Sequence, residues 1–93
     1  MLEIRFAWDQ WNAQKNELKH GVSRREAESV FFDPKYRLFR DQKHSSTSEV
    51  RFILFGQSME NRVLMVGFTL RGDWVRIITA RPASKKERQV YGS

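Results

Sequence analysis

Trp74-Val75-Arg76-Ile77-Ile78-Thr79-Ala80-Arg81 is an apolar, β-branched run with two arginines set into it. Such a run is strongly strand-forming. A strand this apolar belongs in the interior of a sheet, covered on at least one side. Arginine is almost never fully buried without a partner. Arg76 and Arg81 therefore each need a carboxylate, or an anion met at the sheet surface. Five positions apart, they point to opposite faces unless a bulge intervenes. The expectation is one structural arginine and one functional one.

Immediately upstream, Gly72-Asp73 is a tight-turn pair. It joins this strand to an antiparallel predecessor over residues 62–71, uncharged from Val63 to Leu70. Residues 49–56 form the next strand out. Val50, Phe52 and Leu54 share one of its faces; Glu49, Arg51, Ile53 and Phe55 share the other. Residues 57–61 make the hairpin connection, 41–48 a polar loop, and 36–39 a short strand. Downstream, Pro82 stops the opening strand. Ser84 and Glu87 then have capping-box spacing for a short helix over 85–91 that ends with Tyr91.

The first third of the chain is helical after a short strand at 3–6. Asp9 caps a helix over 10–19, with Trp11 and Leu18 on one face and Trp8 folded over the entry. Lys19 and His20 suit the last turn of its dipole, and Gly21 supplies a left-handed stop. Ser23 and Glu26 open a second helix over 23–32, with Val22 and Ala27 placed as a hydrophobic staple. Ala27, Val30 and Phe31 form its apolar stripe, and Asp33-Pro34 ends it. The sum is one α+β domain over residues 1–93. Two N-terminal helices pack on one face of an antiparallel β-meander, and a short C-terminal helix follows.

The net charge is +6 and uneven. Residues 1–34 hold five basic and six acidic side chains, whereas residues 35–93 hold twelve basic and five acidic. The sheet half thus carries a positive field that attracts polyanions. There is no cysteine, hence no disulfide or thiolate metal site, which fits a reducing, cytoplasmic setting. No apolar run long enough for a membrane span exists, and the N-terminus lacks the apolar core of a signal peptide.

His20 and His44, the only histidines, do not stand in metal-ligand spacing. Gly-rich phosphate loops, nucleophile elbows and nucleotide fingerprints are absent, so no cofactor is expected. Arg, Lys, Glu, His and Tyr around a basic sheet can nonetheless cleave RNA without a metal. The ribose 2′-hydroxyl is the nucleophile. The protein need supply only a base, cations for the phosphate, and an acid for the leaving 5′-oxygen. Glu49 and Arg51 share a face, and Arg71 and Arg81 are expected near the same end of neighbouring strands. Arginine matches phosphate bidentately. The plainer reading makes Glu49–Arg51 and Glu87–Arg88 surface charges, His20 a helix-end feature, and Tyr91 a packing residue.

Together these segments resemble the BrnT family of toxins from bacterial type II toxin–antitoxin systems. The matching pieces are Trp8-Asp9, the run from Asn16 through Lys19-His20-Gly21-Val22-Ser23, Glu26-Ala27, and Val30-Phe31-Phe32-Asp33-Pro34. Further on come Glu49-Val50-Arg51, Thr69-Leu70-Arg71, Arg76-Ile77-Ile78-Thr79-Ala80-Arg81-Pro82-Ala83, Glu87-Arg88 and Tyr91. The likeness runs from about residue 6 to 91. Two positions depart from the family pattern: Asn12 stands where a lysine is usual, with Lys15 one turn on, and Gln10 where proline is frequent. The first weakens any role for that lysine.

The resemblance implies a RelE-like ribonuclease toxin fold and metal-independent endoribonuclease activity that blocks translation. It also implies a BrnA-like antitoxin, with operator DNA bound only through the antitoxin complex. Carried over by position, Arg71 and Arg81 would hold the scissile phosphate. Glu49 or His20 would be the base, and His20, Lys19 or Tyr91 the acid. Lys19, Arg51, Arg76, Lys85 and Lys86 would contact RNA. Arg76 itself is expected to be structural, paired with Glu87 or Glu49. Two rival readings are a non-catalytic nucleic-acid-binding module and a domain that only docks an acidic antitoxin. No helix-turn-helix with a basic recognition helix supports the first.

Overall fold

The computed structural model describes residues 3–93, less the side chains of Gln10 and Trp11. Its elements are β1 (Arg5–Ala7), α1 (Gln10–His20), α2 (Arg24–Ser29) running into a 3₁₀ turn (Val30–Phe32), β2 (Arg37–Arg40), β3 (Arg51–Gln57), β4 (Val63–Arg71), β5 (Trp74–Pro82) and α3 (Lys85–Gly92). The five strands lie in the order β1-β5-β4-β3-β2. β2 to β5 form the antiparallel meander read from the sequence. β1 corrects that picture: it adds beside β5 in parallel, Phe6 opposite Val75, so the sheet is mixed.

One face of the sheet is apolar because alternate positions of each strand are. Leu54, Leu64, Val66, Phe68, Ile77 and Ala80 meet Val22, Ala27 and Val30 from the α2 region to form the core. Phe31 packs edge-on between Phe6 and Phe68, with ring centroids 5.1 Å away in each case. The 3₁₀ turn comes so near β3 that a Cβ on Gly56 would stand 2.9 Å from the Val30 carbonyl oxygen. Only glycine allows that approach.

Two of three local expectations resolve differently. Ser23 Oγ accepts from the Glu26 N–H at 3.1 Å, but the return half of that capping box is not made. The Glu26 carboxylate instead takes Arg62 Nε and Nη2, both at 2.7 Å, and the Ser58 hydroxyl at 2.7 Å. Arg62 holds the buried Glu26 carboxyl below its usual range, against the effect of burial. This cluster ties α2 to the β3–β4 hairpin. At Ser84 and Glu87 both halves of the box form. Leu18, expected on an apolar face, is 89% exposed; its proposed companion Trp11 has a side chain outside the described residues.

The helices do not share one face. α1 runs along the part of β5 that β1 leaves unpaired. There the Asn16 side chain donates to the Ala80 carbonyl at 2.8 Å and accepts from the Ala80 N–H at 2.9 Å, as a strand would. α3 meets the other side of the sheet through Arg37 and Arg81, which reach the Val90 carbonyl and Glu87. Among the described residues, no helix is long and apolar enough to cross a membrane.

Candidate nucleic-acid interface

The bulge decides the site. Gly67 pairs with Thr79 but Phe68 pairs with Ile77, so Ile78 is an extra residue in β5. That extra residue shifts the alternation by one. Arg76, opposite Thr69, and Arg81, opposite Met65, therefore point to the same face, the one away from the core. Register places Arg5, Arg37, Arg51 and Arg71 on it too. Among the described residues this open face carries six strand arginines and no strand carboxylate. Aromatic rings lie among them. The Arg5 guanidinium is 5.9 Å from the Trp74 ring and that of Arg37 is 5.8 Å from the Phe39 ring.

A cleft of about 270 Å³ opens near the middle of the sheet, lined in part by Asp41, His44, Arg51, Ile53, Gly67, Thr79 and Arg81. Its rim is the polar 41–48 stretch, which hydrogen bonds hold in shape. The Asp41 N–H donates to the Arg51 carbonyl at 2.8 Å, the Ser45 hydroxyl to the Asp41 carbonyl at 2.6 Å, and the Arg51 N–H to Ser45 Oγ at 2.9 Å. Asp41 Oδ2 lies 2.7 Å from His44 Nδ1. The sequence reading passed over Asp41 and weighed His44 for metal spacing alone. The available signal was an Asp and a His three apart in a polar loop.

The expected site residues divide into separate groups. Arg71 and Arg81 do not stand at the same end of their hairpin. Arg71 pairs with Trp74 and Arg81 with Met65, six residues apart along β4, or about 20 Å. The two cannot grip one phosphate. Arg81 closes a bidentate pair with Glu87 at 2.8 and 2.9 Å, which raises its pKa. Hydrogen bonds from Arg81 hold the Glu87 carboxyl at about 2, with burial opposing. Arg76, expected to take Glu87 or Glu49, makes no ion pair among the described residues. Glu49 lies just before β3, bonded to Arg51 Nε at 3.0 Å and 3.6 Å from Arg71 Nη2.

Tyr91 is turned to another task. Its hydroxyl donates to Asp33 Oδ2, and the same oxygen accepts the Gln57 N–H at 2.7 Å. Burial and the neighbouring Asp33 carboxylate push the phenol up to about 12. Burial also pushes Asp33 upward, but its hydrogen bonds outweigh this and hold it below its usual range. Tyr91 thus ties α3 to the end of the helical segment. Lys85 and Lys86 are exposed in the first turn of α3. Lys19 and His20 lie in a second cleft, of about 170 Å³, with Asn12, Lys15, Asn16, Ile78 and Thr79. The bulge residues Ile78 and Thr79 are a wall common to both clefts.

Over residues 8–87 the chain matches the family described as "Ribonuclease toxin, BrnT, of type II toxin-antitoxin system". No curated protein matches it by sequence. Its fold is similar to the 1.1 Å crystal structure of the Brucella abortus ribonuclease toxin BrnT. The two are 21% identical with a TM-score of 0.68, covering 89% of this chain and 100% of that one.

Proposed function

The chain belongs to the BrnT family of ribonuclease toxins of type II toxin–antitoxin systems, and from that premise we propose that it is a metal-independent endoribonuclease that binds RNA across the open face of its sheet. The observation that carries this is the face itself: six arginines without a strand carboxylate, interleaved with aromatic rings, around a central cleft. Guanidinium forks neutralise phosphates, and rings stack on unpaired bases.

Arg51 and Arg81 flank the cleft and are the phosphate ligands in this reading. Arg81 shares its fork with Glu87, so an arriving phosphate competes with that carboxylate. Arg76, without an ion pair among the described residues, and Arg71 extend the phosphate path toward the β4–β5 turn. Lys19 and His20, behind the common wall, and Lys85 and Lys86 on α3 serve flanking phosphates. The scissile step is attack by the 2′-hydroxyl on its own phosphodiester, with charge on the phosphoryl oxygens stabilised by arginine rather than by a metal. Cutting messenger RNA in this way arrests translation. The fold reads as RelE-like, with α2 and its 3₁₀ turn covering one face of the sheet and substrate on the other. A BrnA-like antitoxin neutralises the toxin, and operator DNA is met only through that antitoxin.

The test is incubation of the purified, antitoxin-free chain with end-labelled single-stranded RNA in excess chelator, with and without ribosomes. Cleavage leaving 2′,3′-cyclic phosphate or 3′-phosphate ends is expected. Tight RNA binding with no cleavage in either condition would instead make the chain a non-catalytic binding module.

A further inference from the structure

We propose that His44, oriented by Asp41, is the proton acceptor for the 2′-hydroxyl in the central cleft. The inference rests on the ribonuclease reading and names the group that reading leaves open. Asp41 uses both carboxylate oxygens on His44: Oδ1 accepts the backbone N–H at 3.3 Å and Oδ2 lies 2.7 Å from ring Nδ1. A turn needs only the first of these bonds. The second fixes the ring, because a carboxylate accepts and so places the hydrogen of neutral imidazole on Nδ1. Nε2 is then left with its lone pair. Asp41 is well covered, at 16% side-chain exposure, while the His44 ring is 57% exposed and lines the cleft with Arg51 and Arg81. A supported carboxylate behind an accessible imidazole, beside two guanidinium groups, is the arrangement that 2′-hydroxyl activation needs.

The other proton-transfer candidates are occupied or elsewhere. Glu49 is engaged by guanidinium groups, bonded to Arg51 Nε at 3.0 Å and 3.6 Å from Arg71 Nη2. Tyr91 donates to Asp33 with its pKa pushed up to about 12. His20 lies in the second cleft.

In the proposed step, His44 Nε2 takes the 2′-hydroxyl proton while the 2′-oxygen forms a bond to the adjacent phosphorus. The bond from phosphorus to the 5′-oxygen breaks, and that oxygen leaves with a proton from water. The products are a 2′,3′-cyclic phosphate and a 5′-hydroxyl. Arg51 and Arg81 carry the charge of the phosphorane-like transition state.

The experiment compares the wild-type chain with His44→Ala, His44→Gln and Asp41→Asn, measuring RNA cleavage, RNA affinity and melting. Both His44 variants should lose cleavage by about a hundredfold or more while melting normally and binding RNA within about twofold of wild type. His44→Gln keeps a polar side chain but offers no basic nitrogen. Asp41→Asn should lower cleavage while RNA affinity and melting stay near wild type, because an amide no longer holds the ring hydrogen on Nδ1. A wild-type chain that cleaves while both His44 variants cleave equally well overturns the role and leaves the ribonuclease reading intact. Parallel loss of cleavage and RNA binding makes His44 a binding residue and also overturns it. A wild type that cleaves no RNA overturns the ribonuclease reading and this role with it.

Discussion

Glu87 takes three donors at once: both Nη atoms of Arg81, and the Ser84 N–H at 2.8 Å. One carboxylate therefore starts α3 and anchors it to β5. The charged form is favoured in the fold, with a pKa near 2 against an ordinary 4.5. A depressed carboxylate contributes stability above the unfolded value and loses it as pH falls toward the folded one. The contribution is thus complete at neutral pH and disappears between about pH 4.5 and 2. Glu87→Gln should cost on the order of 2 kcal/mol at pH 7. It should also flatten the acid limb of stability against pH. Urea melts at pH 7 and pH 3 decide this: equal losses at both would mean that the pair is not the source. The same pair sets the state of Arg81, whose guanidinium fork an incoming phosphate must share with Glu87.

Among the elements, α1 and β5 are joined by a side chain imitating backbone. Asn16 satisfies both polar groups of Ala80 on the stretch of edge that β1 does not reach. Buried backbone groups left without partners cost about 1–3 kcal/mol each. Asn16→Ala should therefore lower stability by roughly 2–4 kcal/mol, with earlier hydrogen exchange at the Ala80 amide than at Val66 on the neighbouring strand. An unchanged Ala80 exchange rate would remove Asn16 from that role. The bulge at Ile78 lies two residues before Ala80. The strand is locally irregular where α1, the open face and both clefts converge, and a bulge at such a place re-aims the side chains that follow it.

At the scale of the molecule, the sheet separates two environments. Its covered face holds the aliphatic core. Its open face holds six of the strand arginines, five of them within the basic 35–93 segment. Binding of single-stranded RNA there should weaken steeply with salt. Each phosphate contact contributes about 0.7 to the slope of log affinity against log salt. Arg76→Ala should lower that slope by about 0.7. Arg24→Ala, on α2 and 57% exposed beside Glu28, should leave it unchanged. Equal effects of the two substitutions would show that net charge, and not the open face, governs binding.

Local chemistry was sufficient for most of the architecture. The apolar runs at 51–57, 63–71 and 74–82, the turn at Gly72-Asp73, the stop at Gly21 and the box at Ser84 and Glu87 are determined by residues within a few positions of one another. The meander and the family likeness followed from them. Pairings between distant residues were not legible. Alternation assigned Arg76 and Arg81 to opposite faces, and only the closing of β5 against β4 introduced the extra residue that put them together. The sequence likewise could not say that Glu87 would choose Arg81 over Arg76, that Glu26 would leave its cap for Arg62, or that Arg71 would stand a hairpin's length from Arg81. Each of these is a choice among several possible charge partners. It is made by which side chains the register brings within about 3 Å of one another, a distance set by the tertiary fold and not by spacing along the chain.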